Sequence, residues 1–118
     1  MATMTVIIYH NPRCSKSRQT LQLLRDRDLE PTIIEYLQTP PDAATLRDIL
    51  RKLDLDARGL MRMKEEAYKA NGLGDEELAE DALIAAIVAN PVLMERPVVL
   101  ANAKAALGRP PEDVLEIL

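Results

Sequence analysis

Thr5-Val6-Ile7-Ile8-Tyr9-His10-Asn11-Pro12-Arg13-Cys14-Ser15-Lys16-Ser17-Arg18-Gln19-Thr20-Leu21 is the stretch on which the fold turns. Thr5 to His10 is a β-branched and aromatic run, too short and too continuously apolar for an amphipathic helix, and Asn11-Pro12 closes it. It reads as a buried strand. Beyond the proline, Ser15 to Arg27 sets Leu21 and Leu24 three apart, flanked by Thr20 and Leu23, with Arg, Lys and Gln elsewhere. That spacing predicts an amphipathic helix, and it places Cys14 where the helix begins.

Working outward, Pro31 to Leu37 carries Ile33, Ile34 and Tyr36 and reads as a second strand. A strand-helix-strand succession favours a right-handed parallel crossover. Thr39-Pro40-Pro41-Asp42 reads as a helix start, with Thr39 as N-cap, prolines in the first turn and an acid at N3. Leu46, Ile49, Leu50 and Leu53 follow at helical spacing. Residues 57 to 73 read as short helices ended by Asn71-Gly72; Met61, Met63 and Tyr68 there are taken as core filling in preference to a lid or partner surface. A helix is expected from Asp75 through Leu78, Leu83, Ile84, Ile87 and Val88 up to Pro91. Val98 to Ala101 and Ala103 to Leu107 read as a hairpin turning at Asn102, and Pro110-Pro111-Glu112-Asp113 opens a last amphipathic turn or two. The expected fold is α/β and thioredoxin-like: a four-stranded mixed sheet with a helical insertion between its βαβ and ββα halves.

Composition narrows function. A chain of 118 residues with 47% hydrophobic content is read as one domain, 1–118. Its 15 basic and 19 acidic side chains leave a net charge of −4, and with no Phe or Trp and only 3 Tyr it lacks both the charge and the stacking surfaces for nucleic acid. The N-terminal apolar run Val6 to Tyr9 is too short for a signal peptide or a membrane span, so a cytoplasmic protein with no membrane partner is expected. No metal site and no tightly bound cofactor are expected, and a monomer is the default.

The single cysteine, Cys14, excludes an internal disulfide. An ordinary thiol with a pKa near 8.5 is only about 3% thiolate at pH 7, whereas one lowered to about 6.5 is roughly three-quarters ionised. At a helix N-terminus, with Arg13, Lys16 and Arg18 nearby, Cys14 has the surroundings that favour the thiolate. The free N–H groups of the same turn form a cradle for a tetrahedral oxyanion beside the attacking sulfur. Ser17 stands where a Cys-x-x-Cys motif would carry its second thiol, so that thiol must come from a cofactor or partner. His10, the only histidine, can orient the loop or pair with the thiolate.

Tyr9-His10-Asn11-Pro12-Arg13-Cys14 with Ser17-Arg18 and Thr20-Leu21 resembles the active-site loop and first helix of the glutaredoxin-coupled arsenate reductase family. Pro31-Thr32-Ile33-Ile34, Tyr36-Leu37 and Thr39-Pro40-Pro41 resemble the family's second strand and next helix start. Leu60-Met61-Arg62, Glu95-Arg96-Pro97-Val98-Val99 and Gly108-Arg109-Pro110 resemble its three arginine segments. The resemblance implies Cys14 as nucleophile and His10 as the neighbour that helps keep the sulfur ionised. It implies Arg62, Arg96, Arg109 and Ser17 as substrate-binding residues, and Pro97 as a structural proline in a cis turn facing Cys14. Guanidinium groups, planar and always protonated, suit a multiply charged tetrahedral anion. The implied reaction is attack of the Cys14 thiolate on arsenic(V), a mixed adduct with glutathione as co-substrate, and reduction by glutaredoxin with release of arsenite. Arsenate or a similar oxyanion, glutathione and glutaredoxin are thus the expected partners.

Two features depart from the family pattern. Ser15-Lys16 replaces the usual Gly-Thr pair, which narrows or recharges the cradle, and longer members continue past the position of Leu118. The competing readings are an Spx-type thiol-based regulator that binds RNA polymerase and a glutathione-linked monothiol oxidoreductase. Ser17 and the retained arginines weigh against the first.

Overall fold

The computed structural model describes residues 5–118 in two compact units, one built from the chain up to Thr39 together with Arg96–Leu118, the other from Pro40–Glu95. The first unit holds a four-stranded sheet of β1 (Val6–His10), β2 (Thr32–Glu35), β3 (Val98–Ala101) and β4 (Lys104–Leu107) in the order β2-β1-β3-β4. β1 runs parallel to β2 and antiparallel to β3, and β3 antiparallel to β4, which is the mixed thioredoxin-like sheet expected.

α1 (Ser15–Asp26) buries Ser17, Thr20, Leu21 and Leu24, an i, i+3, i+4, i+7 stripe on one face. Leu21 and Leu24 of that stripe meet Val6 and Ile8 of β1, Val99 and Ala101 of β3, and Val114 and Ile117 near the C-terminus in one hydrophobic core. The C-terminal turns are 3₁₀, over Pro111–Ile117, and Asn102 Nδ2 donates to the Ile117 carbonyl at 2.8 Å. The β3–β4 turn sets both Asn102 and Ala103 at positive φ (54° and 61°), the backbone demanded by a two-residue hairpin.

β2 is shorter than the expected Pro31 to Leu37. The Glu35 carbonyl accepts from the N–H groups of Gln38 and Thr39, both at 2.9 Å, and this turn ends the strand.

In the second unit α2 (Ala43–Leu53), α3 (Ala57–Leu60), α4 (Glu66–Ala70) and α5 (Glu80–Ala89) form a helical group in which α2 and α3 pack on α5. Here the cap of α2 differs from expectation. Asp42, not Thr39, is the N-cap, its carboxylate accepting the Thr45 N–H at 2.7 Å, and Pro40-Pro41 lie ahead of the helix. A residue before proline is turned away from the α region, so the helix cannot begin until the prolines are passed. α5 likewise starts at Glu80 and not Asp75, because the Asp75 side chain accepts the Glu77 N–H in a turn of its own. Met61 is buried at 5% exposure, whereas Met63 is 50% exposed and is not core filling.

Candidate functional site

The site grows from the end of β1. Asn11 turns the chain: its carbonyl accepts the Cys14 N–H at 3.0 Å and its side-chain oxygen the Arg13 N–H at 3.0 Å. Arg18, one turn into α1, reaches back to the Pro12 carbonyl at 2.9 Å. These bonds hold Cys14 in extended backbone at the N-cap position of α1, with the sulfur at the positive end of the helix.

The residue is buried, at 9% exposure, and its thiol is free. Burial pushes the thiol pKa up, but the Ser17 N–H, the charge of Arg96, the Lys16 N–H and a hydrogen bond from the Arg96 side chain act the other way. The net result is a lowered pKa. The sulfur makes no cap hydrogen bond of ordinary geometry, so the first-turn amides act on it chiefly as oriented dipoles.

Arg96 buries Nε and Nη1, and the Arg96-Pro97 bond is cis. Arg109 Nη1 donates to the Arg96 carbonyl at 2.9 Å, and the Gly108 N–H to the Pro97 carbonyl at 3.0 Å, so the segment after β4 braces the turn before β3. Of the expected arginines, Arg96 and Arg109 therefore share this unit with Cys14. Arg62 belongs to the second unit, where its guanidinium is paired with Glu65 and, at 3.8 Å, with Glu95.

The structure places Ser17 beneath the loop and not on it. Its side chain is fully buried, with Oγ 2.6 Å from His10 Nδ1 and accepting the Asn11 N–H at 3.0 Å; only its backbone N–H is directed at the sulfur. His10 is 6% exposed. Burial lowers its pKa, Glu35 opposes this, and Arg25 and Arg18 add to the lowering. The ring is tied to the loop before Cys14 through Ser17, whose Oγ also accepts the Asn11 N–H.

Sequence reasoning missed Glu35 and Gln38, which line a cleft beside the loop. The parallel register pairs His10 with Glu35, and pairing the ends of the two expected strands would have brought Glu35 forward. Among the described residues no cluster of three or more His, Cys, Asp or Glu could hold a metal ion, and no helix is long and apolar enough to cross a membrane.

A thiol at a helix start, an arginine that lowers its pKa and a cis-proline turn lie together within the first unit. The ArsC family pattern matches residues 9–117. This chain belongs to the ArsC family. An arsenate reductase of Neisseria meningitidis is 53% identical over 112 residues, covering 94% of this chain and 96% of that one. The Escherichia coli protein YfgD, described as uncharacterized, is 61% identical over 117 residues and covers 98% of both chains. The solved arsenate reductase from Vibrio cholerae is 51% identical with a TM-score of 0.96, covering 99% of this ArsC chain and 100% of its own.

Proposed function

We propose that this ArsC protein is an arsenate reductase that works through Cys14 with two external thiols. The observation that carries the reading is the Arg96 guanidinium against the Cys14 sulfur at the head of α1: it favours the thiolate and offers positive charge to an incoming oxyanion. Relatives named arsenate reductase support the substrate.

In the proposed cycle the Cys14 thiolate attacks arsenic(V), a Cys14–S–As bond forms, and one arsenate oxygen leaves as water after protonation. Glutathione brings the second sulfur. Two electrons then pass from the sulfurs to arsenic, arsenite departs, and the resulting mixed disulfide between Cys14 and glutathione is resolved by glutaredoxin. In sum, arsenate and two thiols yield arsenite, one disulfide and water. Arg96 and Arg109 are the oxyanion-facing residues supported by their place in the Cys14 unit, with Arg109 also bracing Arg96. Arg62 is assigned to the oxyanion on the family resemblance alone.

The test follows NADPH oxidation coupled through glutathione reductase, glutathione and glutaredoxin, with and without arsenate. Arsenate-dependent turnover that vanishes in Cys14→Ser is the expected result. A folded protein with a reactive Cys14 but no arsenate-dependent turnover overturns the reading; activity on a glutathionylated peptide in its place would identify a monothiol oxidoreductase.

A further inference from the structure

Beside the nucleophile loop, within the same unit, lies a cleft of about 260 Å3. One wall is the loop itself, Asn11 to Arg13; the other is the turn after β2, with Glu35, Leu37 and Gln38; His10 lies between them. Leu37 is 44% exposed, an apolar side chain left to line an open cleft. The His10 Nδ1 is occupied by Ser17, and its Nε2 has no hydrogen-bond partner among the described residues. With Nδ1 engaged by Ser17 Oγ, which also accepts the Asn11 N–H, Nε2 is the ring nitrogen left for a ligand.

The lining is thus of mixed sign: a cation in Arg13, an anion in Glu35, an amide in Gln38 and the His10 imidazole, with apolar Leu37 and Pro12. A simple oxyanion would meet Glu35 unfavourably. A small zwitterionic peptide fits, with a carboxylate toward Arg13, an ammonium toward Glu35 and its amides toward Gln38 and His10. The loop wall runs from Asn11 to Arg13, the residue before Cys14, and the Cys14 N–H is bonded to the Asn11 carbonyl, so the cleft adjoins the loop that carries the thiol.

We infer that this cleft is the subsite for the peptide thiol that follows arsenate, with Arg13 and Glu35 reading its carboxylate and ammonium ends. The inference rests on the external-thiol reading above, and its test is chosen to fail separately.

The whole protein, labelled with nitrogen-15, is titrated with S-methylglutathione, which carries both charged ends and cannot react. Amide shifts concentrated at Asn11, Arg13, Leu37 and Gln38 are expected. Glu35→Gln and Arg13→Gln should each weaken binding about two- to five-fold, the range for a partly exposed charge pair. Glu35 and Gln38 are exposed, so Glu35→Gln and Gln38→Ala should remain folded. In the coupled assay both should raise KM for glutathione and leave KM for arsenate unchanged. Shifts confined to residues outside the cleft, or affinities unchanged in Glu35→Gln and Arg13→Gln, overturn the subsite even if arsenate is turned over. Cleft shifts without arsenate turnover uphold the subsite and refute the reductase reading.

Discussion

Arg109 Nη1 donates to the main-chain carbonyl of Arg96 at 2.9 Å, so of the two arginines beside the cis turn in the Cys14 unit, one holds the peptide of the other. Arg96 in turn favours the Cys14 thiolate by its charge and by a side-chain hydrogen bond. Removing either arginine should therefore slow Cys14 before any oxyanion is bound. Iodoacetamide alkylation at pH 7 should fall at least about threefold in Arg96→Ala, and by less in Arg109→Ala, because the thiolate is the reacting species. A pH profile of alkylation unchanged in Arg109→Ala would show that the brace does not govern the sulfur.

Ser17 Oγ serves two partners, the buried His10 Nδ1 and the part-buried Asn11 N–H. Ser17→Ala leaves both without it and should cost about 1–3 kcal/mol of stability. Chemical denaturation with an unchanged m-value would measure it.

The lowered His10 pKa gives stability a pH dependence of definite sign. Between the folded-state pKa and the ordinary value near about 6.5, the unfolded chain binds the proton more readily than the folded one. The contribution of His10 is therefore complete above that ordinary value and is lost as pH falls through the folded-state pKa. Unfolding free energies measured from neutral pH downward should decline in that window, and the decline should be smaller in His10→Gln.

Gly108 sits where a side chain cannot. A Cβ there would lie 2.4 Å from Thr20 Oγ1 and 2.7 Å from Pro97 Cγ. Gly108→Ala should destabilise by about 1–3 kcal/mol and slow Cys14 alkylation by disturbing the turn. Combining it with Thr20→Ser removes one of the crowded methyl contacts, at 3.1 Å, and should recover little, because Pro97 and the hydroxyl remain.

The sheet and α1 were legible because their signals are local: Val6 to His10 has one consistent strand reading, and Leu21 and Leu24 lie on one face with Ser17 and Thr20. Cap positions were harder, since Thr39 and Asp42 both carry capping oxygens and only the prolines between them decide which can act. At the site, Cys14 was legible from its place after a strand and before a helix. The 82-residue separation of Arg96 from Cys14 carries no periodic signal, and the family resemblance alone pointed to it. The burial of Ser17 was missed although its helical spacing to Thr20, Leu21 and Leu24 marks the buried face.

Because Cys14 occupies the N-cap of α1, the reacting atom is also a terminus of secondary structure. In the proposed cycle each change in what the sulfur carries would alter the electrostatic load on that terminus: a thiol whose ionisation is favoured at rest, an arsenic adduct bearing anionic oxygens after attack, and a neutral disulfide before release. The helix would then register that proposed cycle as a change in its own first turn, and the protection of the Lys16 and Ser17 amides against hydrogen exchange should report which covalent state Cys14 is in.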